Sequence, residues 1–502
     1  MATLLAGPSL LSELSFARLI AIAVIVLKVT GYIVSLAAYN LLFHPLRRYP
    51  GPRLWAISRI PYARMQMSGK AHRIILQLHQ IYGDVVRIAP DELSFLSPDA
   101  WNEVMGHRKR GEEENSKDPD FWKTQKHSVI SANREDHSRM RRILSHGFSS
   151  QSMQAQQPLI QSYVSLLIQR IHEASNGGSL PLEMTSWYNW TTFDIIGDLA
   201  FGEPFGCLEN AKYHPWVSLI FDRIQGNAFN SVIRKFPCSE FLIKMLVSKE
   251  AARKFRTHFE LTKEKVEKRL AIEEVRHDFM ATMTNTNEKL KLTYPELLDN
   301  ASILIIAGSE TTATTLSAVT YLLSVNKEIL RKLTDEVRSS FNTEDDIHLL
   351  SVQKLNYMLA VLNETLRLFP PVPNAIPRKA PAGGNTIFGR HVPPDTILGI
   401  WQWPMYHSPE HFLEPESFIP ERWLDDPRFV NDRKEAFQPF SFGPRKCLGR
   451  NLAFAEMRLI LARIIWNFDL SVDPRSEDWL QKNESFSLWK KPDLYIYFSP
   501  RK

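Results

Sequence analysis

The sequence predicts a mainly α protein with a small β region, preceded by an N-terminal transmembrane helix. Three observations carry this reading. Helical periodicity dominates from Gln151 to Leu270 and returns around Ile303, Glu364 and Leu452. Short strand-like segments with Gly, Pro and Asn between them cluster together instead of alternating with helices, which argues against a parallel α/β unit. A long apolar run, Leu19–Phe43, precedes the rest of the chain.

The elements follow in order. About 20 helical residues cross a ~30 Å hydrocarbon layer, so Leu19–Phe43 is long enough, with Lys28 tolerable if its stem snorkels. Arg47, Arg48 and Arg53 outnumber Arg18 on the other side, which places the body in the cytosol. A cleaved signal peptide is the competing reading; the length of the run and the lack of a disulfide pattern count against it. Residues 1–43 are therefore expected to form the anchor and 44–502 the catalytic domain, joined by a stiff elbow at Pro50-Gly51-Pro52. Beyond it Ala71–Ile81 reads as a helix, Asp84–Ile88 and Glu92–Leu96 as short strands, Gly111–Val129 as a loop and Asp136–Phe148 as a basic helix. Thr293 and Glu296 have capping-box spacing at the head of a helix. Lys379–Leu398 holds strands and turns, Leu448–Phe468 a helix, and the tail after Ser471 turns and strands.

Composition narrows the function classes. A net charge of +6 and a pI of about 9.0 suit anionic lipid or an acidic protein. Nucleic acid is the weakest candidate, because zinc-finger spacing and aromatic-interleaved basic stretches are missing. Arg445, Lys446, Arg450 and the segment Arg139–Arg142 favour an acidic protein partner. The three cysteines are too few and too odd for a disulfide scaffold. Cys207 and Cys238 read as inert thiols. Glycosylation sequons at Asn189, Asn300, Asn363 and Asn483 are chance matches if the body is cytosolic.

Cys447 stands apart. It lies in Phe440-Ser-Phe442-Gly443-Pro-Arg445-Lys-Cys447-Leu-Gly449, a glycine-framed loop ahead of a helix. A helix N-terminus and a nearby cation favour the thiolate, the form that binds metal. Gly443 and Gly449 let backbone come close, Phe440 can shield the sulfur, and Arg445 suits a carboxylate. A second constellation is Ala307-Gly308-Ser-Glu310-Thr311-Thr312 inside an apolar helix. There Gly308 is expected to open space, and Thr311 to bond back to the Ala307 carbonyl, making a small polar notch.

The Cys447 loop resembles the haem-binding loop of the cytochrome P-450 superfamily, and the resemblance covers nearly the whole chain. It implies the cytochrome P-450 fold, haem b with iron held by the Cys447 thiolate, and O2 with electrons from NADPH through a reductase. It also implies oxygen activation at Thr311 with proton relay by Glu310. Glu364, Arg367 and Arg422 resemble the family's structural Glu-Arg-Arg set. Arg378 resembles a propionate-binding arginine. His137 and Arg141 match a related propionate position, with histidine where the family has tryptophan. Asp136–Phe148 and Thr192–Gly202 resemble the fungal isotrichodermin C-15 hydroxylase-like branch. The expected function is a single-pass monooxygenase of the endoplasmic reticulum membrane that hydroxylates or epoxidises a terpenoid or polyketide. The alternatives are a haem-thiolate isomerase or dehydratase, and a detoxifying monooxygenase. Family topology places substrate contacts in Gly111–Val129, Val217–Ile233, Ile303–Ala307, Val372–Ile376 and Phe486–Leu488.

Overall fold

The computed structural model describes residues 10–109, 111–123, 126–236, 239–246, 248–272, 276, 278–284 and 291–501. Cys238 and the first residues of the predicted anchor lie outside them. Leu10–Leu42 is one helix, which starts earlier than the apolar run. Its stretch Arg18–Leu42 has a mean hydropathy of 2.4 and is not buried against the body. The helix Tyr294–Val325 is also long and apolar, but most of it is buried, as a core helix is.

The apolar helix ends on a docked turn, and the elbow expected at Pro50-Gly51-Pro52 is held against the body. Asn40 Nδ2 donates to the Ile57 carbonyl, and Arg87 Nη1 to the Asn40 carbonyl, both at 3.0 Å. The Arg87 amide donates to the Pro50 carbonyl at 2.7 Å. A Cβ on Gly51 would lie 2.4 Å from the Arg87 carbonyl oxygen, so glycine is needed for this approach.

The predicted β region is a five-stranded sheet in the order Val85–Ala89, Glu92–Phe95, Ile397–Ile400, Arg378–Lys379, Ser116–Lys117. Glu92–Phe95 and Ile397–Ile400 run parallel and the other neighbours antiparallel. The edge strand Ser116–Lys117 falls in the segment read as loop; two residues of pairing leave no alternation to detect. It sets Lys117 directly across from Arg378. A three-stranded sheet joins Leu182–Glu183, Tyr495–Pro500 and Phe468–Val472.

Two antiparallel pairs, Asn385–Ile387 with Arg390–Val392 and Glu484–Phe486 with Leu488–Lys490, complete the strands, and helices make most of the remainder. Met184–Phe201 and Tyr294–Val325 are buried along most of their length. A Cβ on Gly308 would fall 2.7 Å from Ile196 Cδ1. Gly308 therefore brings these helices together; the open space expected beside it is filled by Ile196. Thr293 and Glu296 form the capping box, with the Thr293 amide donating to Glu296 at 2.8 Å. The sequon residues Asn189, Asn300 and Asn483 are buried.

Candidate active site

The Cys447 loop is closed by its own backbone. Gly443–Arg445 forms a 3₁₀ turn, and the Cys447 amide donates to the Phe440 carbonyl at 2.8 Å. Gly443 has φ +73°, and a Cβ there would meet the Met105 carbonyl oxygen at 2.0 Å. No side chain fits. At Gly449 a Cβ would make only ordinary contact with Phe148 at 3.7 Å, so this glycine is not required for space. Phe440 packs on Phe454, ring centroids 5.3 Å apart.

The following helix begins at Arg450, later than the sequence suggests, with Gly449 as its cap. The amides of Gly449 and Arg450 point at the Cys447 sulfur. Cys447 keeps accessible surface within a densely packed surrounding. Burial pushes its thiol up; the two amides and the Arg141 charge pull it down without overcoming burial. The expected lowering is thus reversed in the protein alone, and a bound cation would have to complete the deprotonation. Cys207 is buried, accepts from the His214 amide, and burial pushes its thiol up to about 12.

Beside this loop the protein gathers positive charge. Arg445 is 3% exposed; it pairs with Glu114 at 2.5 Å and donates to the Ala132 carbonyl at 2.8 Å. Its buried Nε has no partner. Arg378 is buried, with Nε 3.0 Å from Met105 Sδ. Burial, then the Arg445 charge, lower it to about 9. Lys117, next to Arg378 across the strand pair, is driven well below its usual value by burial and then by Arg378 and Arg445. His137 and Arg141 share one face of the helix Arg134–Ser145, which Asn133 caps through the Asp136 amide at 2.9 Å. Burial, then Arg445, Arg141, Lys117 and Arg378, hold His137 down to about 3. Arg141 donates to the Lys446 carbonyl at 2.7 Å. The carboxylate facing this cluster is Glu114. Like charges opposed across a strand pair destabilise a sheet, so the arrangement fits a group that brings negative charge.

Sequence reasoning missed Lys117 and Glu114. Nothing in their spacing marks them; only the strand pairing brings Lys117 to Arg378. It also overstated the basic surface. Arg445 points inward, and Arg139 is bound by Glu296 and Asp136, leaving Arg142, Lys446 and Arg450 exposed.

On Tyr294–Val325, Ala307 is exposed and Gly308 and Thr311 half-buried among buried neighbours, so the helix opens on one face there. Thr311 Oγ1 donates back to the Ala307 carbonyl at 2.7 Å. Glu310 lies about 100° further round. Its Oε1 takes Lys491 Nζ and, at 3.2 Å, the Thr314 hydroxyl. Acid and hydroxyl therefore do not share the single notch the sequence suggested. One residue on from Thr311, Thr312 bonds Glu456, whose carboxyl burial pushes up to about 8.

A separate network is built on Glu364. Glu364 receives Arg367 at 2.9 and 3.0 Å, Arg422 at 3.0 Å and Trp423 Nε1 at 2.9 Å. Arg422 also meets Asp432 at 2.5 Å. Arg367 reaches the carbonyls of Tyr406, Pro415 and Ser417.

A cavity of about 260 Å³ draws Asp118, Phe121, Phe229, Val232, Asn374 and Phe486 into one lining. Four of the predicted substrate segments meet here; Ile303–Ala307 does not reach it. Neither do Cys447 and Thr311, so this cavity is not the centre of the chemistry. Ion pairs of Arg59 with Glu92 at 2.6 Å and of Lys235 with Asp118 at 2.6 Å make its wall more polar than the sequence suggested.

Residues 49–498 match the family described as Cytochrome P450. The chain is 46% identical over 474 residues to the trichothecene C-15 hydroxylase of Fusarium sporotrichioides, covering 94% of this chain and 96% of the relative. It is 46% identical over 488 residues to the cytochrome P450 monooxygenase tpeC of Talaromyces stipitatus, 96% and 95% of the two chains. It is 42% identical over 504 residues to the averantin hydroxylase of Dothistroma septosporum, 97% and 94%. The chain belongs to the cytochrome P450 family, oxygen-incorporating oxidoreductases that use haem held by a cysteine thiolate, O2 and electrons derived from NADPH.

Proposed function

We propose that this chain is a membrane-anchored monooxygenase that hydroxylates or epoxidises an apolar small molecule of the terpenoid or polyketide class in a fungal secondary-metabolite pathway. The names of its relatives, hydroxylases of a trichothecene and of averantin, support this chemistry. The observation that carries the site is the unbalanced cation cluster beside Cys447. Among the described residues, Lys117, Arg378 and Arg445 face Glu114, Arg141 stands beside them at His137, and the Arg445 Nε is unpartnered. That charge fits haem b, whose propionates are carboxylates.

In this reading Cys447 ligates the iron, and Arg445, Arg378, His137, Arg141 and Lys117 hold the propionate side. Gly443 and the Phe440 carbonyl set the loop, Phe440 and Phe454 keep water from the sulfur, and Gly449 caps the helix, its amide and that of Arg450 facing the sulfur. Bound haem supplies oxygen activation with electron push from the thiolate. Thr311, on the open face of its helix, positions a hydroxyl for proton transfer, and Glu310 serves as an acid behind it. The helix Arg18–Leu42 anchors residues 44–502 to the endoplasmic reticulum membrane, cytosolic side. Exposed Arg142, Lys446 and Arg450 offer an acidic reductase a basic surface near the loop.

A metabolite profile with and without the gene tests the reading. A precursor one oxygen lighter than the lost compound is the expected result. Accumulation of an isomer of that compound would replace oxygen insertion with isomerisation.

A further inference from the structure

The cavity of about 260 Å³ has an apolar side, made by Phe121, Phe229, Val232 and Phe486, and a side of charged and polar groups. The charges are taken up by one another. Arg59 pairs with Glu92 at 2.6 Å, Lys235 with Asp118 at 2.6 Å, and Lys490 with Glu484 at 2.9 Å. The Tyr62 hydroxyl accepts from Gln66 Nε2 at 2.9 Å. Asn374 and Trp401, in the same lining, differ. They are 5% and 2% exposed, and among the described residues Asn374 Oδ1 and Trp401 Nε1 have no hydrogen-bond partner. Buried polar groups are almost always partnered, and an orphan is costly unless something else meets it. The fold brings these two together. The Trp403 amide donates to the Pro373 carbonyl at 3.1 Å, which ties the segment carrying Asn374 to the one carrying Trp401. A Cβ on Gly399 would lie 3.2 Å from Ala375 Cβ and 3.5 Å from Trp401 Nε1, so the indole N–H closes on the chain next to Asn374.

We propose that Asn374 and Trp401 form a subsite for the hydroxyl group of a neutral, otherwise apolar alcohol. The inference rests on the monooxygenase reading above and narrows its substrate. Asn374 Oδ1 only accepts and Trp401 Nε1 only donates, whereas a hydroxyl does both, so one alcohol group can meet both orphans. A carboxylic acid or an amine would arrive charged, and the charges of the wall are already paired. A ketone would serve Trp401 and leave Asn374 unmet; a hydrocarbon would leave both. The apolar side receives the skeleton of the ligand by burial. Cys447 and Thr311 do not line the cavity, so the carbon that bears this hydroxyl is not the carbon oxidised. The substrate therefore comes to this protein already oxygenated. The reaction that supplies it leaves an alcohol: an earlier hydroxylation, a carbonyl reduction or the hydration of an alkene. The new oxygen enters elsewhere on the skeleton.

The test uses the full-length holoenzyme in membranes and three probes built on one cage. 1-Adamantanol donates and accepts, its methyl ether only accepts, and adamantane does neither. Dissociation constants come from equilibrium dialysis, corrected for uptake by the same membranes without the protein, and folding is checked by thermal unfolding. A neutral hydrogen bond is worth about fivefold in affinity. Asn374→Leu is expected to weaken the alcohol by that factor and to leave the ether and the hydrocarbon level. Trp401→Phe should weaken alcohol and ether alike and spare the hydrocarbon. Normalised to transfer from water to cyclohexane, the alcohol should also outbind the ether in the wild-type protein, a comparison that needs no variant. Equal shifts for all three probes would assign the two residues a packing role. Unchanged affinities in both variants would leave water as the partner of both groups. Either result overturns the proposal. Absence of the thiolate-type ferrous–CO spectrum from the wild-type protein would instead remove the monooxygenase reading and not the subsite, because the probe pattern is read without turnover.

Discussion

Two arginine-rich clusters, one around Glu364 and one beside the Cys447 loop, are built on opposite terms. In the Glu364 network Glu364 and Asp432 neutralise Arg367 and Arg422, all buried; the spare arginine donors go to backbone carbonyls, and Trp423 Nε1 also donates to Glu364. Burial alone would push the Glu364 carboxyl up, but Arg367, Arg422 and the Ile419 amide hold it below its usual value. In the cluster beside Cys447, Lys117, Arg141, Arg378 and Arg445 crowd together around His137, and Lys117, Arg378 and Arg445 face Glu114. Every large shift there is downward for a cation, the signature of like charges forced into a dry place. A closed ion network holds the fold; an open one holds a ligand of opposite charge.

The largest effect expected is at the thiol the second cluster borders. Cys447→Ala should abolish the thiolate-type ferrous–CO spectrum, and a retained spectrum would move the ligand elsewhere. Next is the closed network. Removing one partner of a buried pair costs about 3–5 kcal/mol, so Arg367→Ala should destabilise the apoprotein by that order in a denaturant titration. A loss below ~1 kcal/mol would break the comparison from its structural side. The open cluster should respond in the opposite way. Lys117→Met removes a like charge from beside Arg378. Apoprotein stability should stay level or rise, while haem is lost more readily in a transfer assay. Parallel losses of stability and haem would make Lys117 part of the scaffold.

Glu456 sharpens the contrast from a third direction, as a buried acid kept neutral instead of paired. Its unfolded carboxyl releases a proton near 4.5, whereas the folded one holds it to about 8. Between these values the folded state binds more protons, so stability falls as pH rises, by about 1.4 kcal/mol per pH unit at most. Glu456→Gln should flatten that slope between pH 5 and pH 8 in thermal scans; an unaltered slope would mean that Glu456 ionises in the fold.

Much of this was legible in the sequence, for identifiable reasons. The long helices announce themselves by period, the capping box at Thr293 by spacing, and the Cys447 loop by the joint demand for glycine, arginine and a thiol. The chain also disclosed Thr311 bonding to Ala307, because that bond is local, at i−4. What it withheld is non-local. Lys117 reaches Arg378 through a two-residue strand pairing, and Lys491 reaches Glu310 across 181 positions. Gly308 was read as space, but only the packed structure shows Ile196 filling it. The raised Cys447 thiol has the same origin: helix amides and Arg141 are visible in sequence order, whereas the burial that outweighs them is a property of the assembled fold.

The most direct measurement compares binding of haem with binding of its dimethyl ester, which lacks the propionate charges, to the reduced apoprotein. Hydrogen bonds to charged groups are worth about 1.5–3 kcal/mol each. The account predicts that the free acid binds at least ~100-fold more tightly, and that Arg378→Met and Lys117→Met shrink the ratio. Equal affinity of the two forms for the wild-type protein would contradict the claim that this charge excess exists to hold the cofactor.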